Sequence, residues 1–227
     1  MDKRRDSWNK KLFSFTLAEI LLVIGIIGFV AAMTIPALIN SYQKNAAIET
    51  IKKEYTSLAQ AVKQSESDNG NNADWDWGTG MTARQSFDTY WGPYLRVDIY
   101  CTTYTDCGYS SSAPWKVLNN TSAGTTAVST TSRTSVILSD GSFLLVGIVG
   151  GTTNTIMIDI NAGKPPNMFG KDVFYLVLDT NKGLMPYGYN LAMTTINSNC
   201  ATGVAGGNFC LAKIMMDGWQ MKSDYPW

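Results

Sequence analysis

The sequence predicts an α+β fold in which a long N-terminal helix, half membrane-spanning and half amphipathic, packs on an antiparallel β-sheet. Three observations predict it. From Ile20 to Ile39 no residue is charged. From Ile48 to Val62 apolar residues recur at helical spacing. Beyond Thr134, short β-rich runs follow one another with brief connections.

The stretch Phe15 to Ile39 carries one charge, Glu19. The 20 uncharged residues after it, at about 1.5 Å each, match the roughly 30 Å hydrocarbon core of a bilayer. A soluble core helix is the alternative, but such helices seldom run so far without a polar face. Glu19 either meets a cation or marks the membrane boundary, because a carboxylate deeper in lipid is costly. Gly25 and Gly28 thin one side of the helix for close approach of another, and Pro36 removes the N–H that would bond Ala32. Before the span, Lys3, Arg4, Arg5, Lys10 and Lys11 outnumber Asp2 and Asp6. That excess keeps the leading end cytoplasmic and sends the remainder outward. A cleaved secretory signal is the rival reading, disfavoured by the length of the run and by Glu19.

At this point the residues carry a resemblance. Lys10-Lys11-Leu12-Phe13-Ser14 followed by Phe15-Thr16-Leu17-Ala18-Glu19 and the apolar run resembles the amino-terminal signature of type IV pilins and type II secretion pseudopilins. Ser14 stands where that family usually has Gly, and Ala18 where a larger aliphatic is common. The resemblance implies cleavage between Ser14 and Phe15 by a prepilin peptidase, methylation of the new Phe15 amine, and pairing of Glu19 with a neighbouring subunit's terminal amine during assembly. It implies a pilin-like architecture. The implied location is the inner membrane, crossed once with a cytoplasmic N-terminus, then a periplasmic pseudopilus or an extracellular pilus. The implied partners are other pilin or pseudopilin subunits, the peptidase, the membrane and an inner-membrane assembly platform.

The expected organisation is a leader over residues 1–14, a membrane half over 15–39, an amphipathic half over 40–69 and a globular domain over 70–227. In the amphipathic half, Ile48, Ile51, Tyr55, Leu58 and Val62 form one stripe, with Lys52, Lys53, Glu54 and Lys63 assigned to the other side. Asn69-Gly70-Asn71-Asn72 supplies the stop.

Residues 70–133 read as a long loop rich in Thr, Ser, Gly and Asn. Trp75, Trp77, Tyr90, Trp91, Tyr94, Tyr100, Tyr104, Tyr109 and Trp115 are scattered through it. Either they fold the loop onto the domain, or the stretch from 74 to 115 stacks on a ligand, as in a minor pilin-like adhesin or receptor for DNA or sugar. After it come four strands: Thr134–Ser139 and Ser142–Val149 joined at Asp140-Gly141, then Thr155–Ile160 and Val173–Asp179. Their apolar face is expected to cover the helical stripe.

Cys101, Cys107, Cys200 and Cys210 allow three pairings. Short separations and an outward-facing domain favour Cys101 with Cys107 and Cys200 with Cys210. Zinc would need all four thiolates, since the chain has no His. In the loop before the last strand, Asp159, Asn161 and Asp172 could offer oxygen ligands to Ca²⁺, and some pseudopilins bind calcium in a loop of this general location. Turn capping is the alternative use of such residues, and no other cofactor is expected. Absence of His removes the commonest general base, so no enzyme is expected. The chain holds 18 basic and 18 acidic residues. Without the leader's five basic and two acidic residues, 13 face 16, a net charge near −3 that does not suit nucleic acid.

Overall fold

A computed structural model of the chain describes residues 16–148 and 153–227. The described residues divide into two units, one ending at Gln43 and one beginning at Lys44. Helix α1 runs Leu17–Asn69, unbroken through Pro36. After it come α2 (Ala83–Tyr90), β1 (Val97–Cys101), β2 (Arg133–Leu138), β3 (Phe143–Gly147), β4 (Thr153–Asp159), β5 (Val173–Asp179), β6 (Gly183–Pro186), α3 (Met193–Asn199) and α4 (Cys210–Met216). The strands form one six-stranded sheet in sequence order, every neighbouring pair antiparallel.

Four strands are expected from sequence, and the described residues hold six. The two additions, β1 and β6, are the sheet's edges. Edge strands meet a neighbour on one side only, so they need less apolar alternation and leave a weaker trace in sequence. In β1 the interior positions Asp98 and Ile99 are exposed. The turn at Asp140-Gly141 is as expected, with Gly141 at φ 89°, a value that an L side chain resists. Asp140 accepts the Ser142 N–H and hydroxyl at 3.2 and 2.8 Å, which fixes the turn. Val149, the expected end of β3, lies outside the described residues.

One face of the sheet packs on the second half of α1. Ile51, Leu58, Ala61 and Val62 join Val136, Leu144, Ile156, Ile158, Leu176 and Leu178 in one core. Tyr55 donates its hydroxyl to Leu184 O at 2.9 Å and lies 5.6 Å from the Trp219 ring. Glu54 departs from expectation. Placed with the exposed lysines from sequence, it is 1% exposed, because it lies three residues from Ile51 and four from Leu58 and shares their face.

The opposite sheet face is also covered. Phe143, Leu145, Met157 and Val173 meet Tyr109, Trp115, Val128 and Phe169 from the loops. The region read as an irregular loop therefore supplies a second core, and it contains α2, capped reciprocally by Thr82 and Gln85. All nine aromatics singled out between Trp75 and Trp115 are buried or half-buried. Trp75 stacks on Tyr90 with centroids 4.5 Å apart, and Trp77 donates its ring N–H to Asn72 O at 2.9 Å. These side chains fold the loop onto the domain.

The C-terminal segment is held by charge as well as packing. Lys213 of α4, 3% exposed in its side chain, meets Asp224 at 2.7 Å and Asp217 at 3.2 Å. Burial alone would favour the neutral amine, but these acidic partners outweigh it and raise the Lys213 pKa. From sequence, Leu211 to Asp217 before Gly218 reads as a short helix, and α4 matches it to within a residue at either end, whereas no helix is expected at α3.

Candidate functional site

Among the described residues, the first half of α1 is a long apolar surface that the fold leaves uncovered. From Ile20 to Ile39 no side chain is buried, and Leu38 and Tyr42 stand 70% and 72% exposed. Among the described residues α1 is the one helix long and apolar enough to cross a membrane. An apolar surface of this extent has no stable place in water. A Cβ built at Gly25 or Gly28 meets nothing within 4 Å, so both positions stay open to close approach.

Glu19 sits in the first turn of this helix, where a carboxylate suits the positive end of the helix dipole. Its Oε2 accepts the Thr16 N–H at 2.8 Å and the Thr16 hydroxyl at 2.9 Å. The Glu19 N–H returns a bond to Thr16 Oγ1 at 3.2 Å. This reciprocal closure is a capping box, and Thr16 is the functional residue that sequence reasoning passed over. Its signal was present, since Thr-x-x-Glu before an apolar run is the pattern of that motif. Ser14 and Phe15, the expected processing site, lie outside the described residues.

Both cysteine pairs are bonded locally, Cys101 to Cys107 and Cys200 to Cys210, with Cα atoms 5.4 and 5.0 Å apart. The first closes a turn in which Asp106 accepts the Thr102 hydroxyl and the N–H groups of Thr102 and Thr103. Those bonds hold the Asp106 carboxyl down at about 2. The second joins the end of α3 to the start of α4. Gly170 passes beside it at φ 81°, where a Cβ would lie 2.7 Å from Cys210 Sγ, so no larger residue fits.

The expected calcium residues lie in one loop. Asp159 Oδ2 accepts the Tyr109 hydroxyl at 2.8 Å, and Oδ1 accepts the Asn161 N–H at 3.2 Å. Burial, followed by the charge of Asp172, pushes Asp159 up to about 8. The Asp172 oxygens accept the Asn167 and Met168 N–H groups at 2.8 and 2.6 Å. With their amide nitrogens inward, Asn161 donates to Asp159 and to Lys164 O, and Asn167 donates to the Lys164 and Ala162 carbonyls. Protein donors thus engage both carboxylates. Among the described residues, no three His, Cys, Asp or Glu side chains gather as metal ligands do. This donor set does not fit a calcium site as it stands, and no role is assigned to a metal.

No curated protein and no solved structure matches the chain. The model of one family does match, over residues 37–227, a span that takes in the second half of α1, the whole sheet and both disulfides. The chain belongs to DUF6613, a family of unknown function.

Proposed function

We propose that the chain is a pilin-like subunit of a type IV pilus or type II secretion pseudopilus, held in the inner membrane by α1 and polymerising through that helix after removal of its leader. The observation that carries this reading is the contrast within one helix. Its second half is built into a sheet domain, while its first half is uncharged after Glu19 and uncovered. In a membrane, lipid covers that surface. In a filament, the same surface of neighbouring copies does, with Gly25 and Gly28 allowing close contact. The Phe15 amine produced by processing would be the cation for Glu19, and a desolvated carboxylate is stabilised by such a partner.

A plain membrane anchor for the sheet domain is the second reading. It is favoured by the Thr16 contacts, which satisfy Glu19 inside one chain without a neighbour. Mass spectrometry of the mature protein separates the two. The filament reading requires a chain beginning at N-methyl-Phe15. A chain that keeps Met1, or one cut beyond Ala32, contradicts it.

A further inference from the structure

Glu54 lies on the covered face of α1, and the Lys53 ammonium beside it also holds Asp140 of the β2–β3 turn, so a buried carboxyl and a turn carboxyl gather around one cation. Two carboxyls that share one cation, one of them buried, favour a proton on one of the two. The donors nearby do not divide evenly. Lys53 Nζ hydrogen-bonds Asp140 Oδ2 at 2.7 Å and stands farther from Glu54 Oε1, at 3.5 Å. Both donors of Ser142 also go to Asp140. Glu54 Oε1 has no donor and no access to water. The geometry therefore places the negative charge on Asp140 and the proton on Glu54.

We infer that a proton held on buried Glu54, beside Asp140, is the clasp that seats the β2–β3 turn on α1, and that its loss releases the turn from the helix. The charged groups acting on Glu54 are Lys53 from its own helix and Asp140 from the turn. Burial, followed by the hydrogen bond and charge of Asp140, holds Glu54 up to about 7. Burial raises Asp140 as well, but its bonds with Glu54, Lys53 and Ser142 outweigh this and hold it well below the usual carboxylate range. Once Glu54 ionises, two negative charges face one lysine whose side chain is 63% exposed and screened by solvent.

The sign follows from proton linkage. Between the ordinary glutamate value and about 7, the folded chain holds a proton on Glu54 that the unfolded chain has lost. This contribution to stability is complete at the acid side of the window and lost as pH rises through about 7. A shift of this size changes the folding equilibrium on the order of a hundredfold across the window.

The test uses the full chain in detergent micelles, with Glu54→Gln beside wild type. Glutamine keeps a donor toward Asp140 at every pH. The wild-type melting temperature is expected to fall relative to Glu54→Gln as pH rises from 5 to 8. Other titrating groups, Asp159 among them, are common to both proteins and cancel in the difference. The carboxyl carbon shift of Glu54, followed by NMR, is expected to move with a midpoint near 7, and Asp140→Asn is expected to lower that midpoint. Superimposable pH profiles, or a Glu54 midpoint equal to that of exposed glutamates, would overturn the inference. Should Glu54→Gln not fold, the wild-type carboxyl titration decides alone.

Discussion

The two halves of α1 share one backbone and face opposite problems. Residues after Lys44 present a stripe that the sheet covers, so Ile51 and Leu58 have no exposed surface at all. Residues before it present apolar side chains all round, and nothing among the described residues covers them. An amphipathic helix is completed by its own domain, whereas a helix apolar on every side is completed only by lipid or by other helices. The difference teaches where the chain is finished and where it waits for surroundings.

The largest effect that can break this comparison is a core truncation. Leu58→Ala in the second half should cost about 2 to 5 kcal/mol of domain stability, since a fully buried leucine leaves a cavity. Leu22→Ala in the first half should leave the melting of the domain unchanged. Thermal melting of the full chain in micelles checks both, and equal losses would mean that the first half also packs on the domain. Next in size is removal of the Cys200–Cys210 bridge by double replacement with Ser. The short loop it closes predicts a loss of roughly 2 to 3 kcal/mol, felt in the domain's melting and not in membrane extraction. Smallest is the effect of calcium. Because protein donors engage Asp159 and Asp172, neither calcium nor a chelator should move the melting temperature. A clear rise with calcium would mean that the amide oxygens of Asn161 and Asn167 face inward instead.

The same contrast explains what the sequence made legible. The uncovered half of α1 was plain because it lacks charge, and the covered half because Ile48, Ile51, Leu58 and Val62 keep a strict spacing. The inner strands and their Asp-Gly turn were readable for the same reason. The second core was not. Tyr109 and Trp115 reach Phe143 from irregular backbone, with ring centroids 5.4 and 5.7 Å away, and irregular backbone has no period to detect. Helix α3 has seven residues and no side-chain cap, too short for a pattern. Glu54 was misassigned because its charge was weighed above its position, and a proton on the carboxyl removes that objection. Thr16 was passed over because Glu19 was considered only against cations and the membrane boundary, not against the helix N-terminus that it caps.

The central claim, that the first half of α1 is covered by other copies of the chain, is tested most directly by assembly of Glu19→Ala. Cross-linked multimers in the cell envelope would be measured beside domain melting, with Thr16→Val as a control for loss of the cap alone. The account predicts an unchanged melting temperature for Glu19→Ala and a loss of multimers of at least about tenfold. An unpaired buried charge on the neighbouring copy costs about 3 kcal/mol or more, which is more than enough for that loss. Thr16→Val should retain most multimers, since it leaves the carboxylate in place. Wild-type levels of multimers from Glu19→Ala would contradict the claim and leave α1 as a plain membrane anchor.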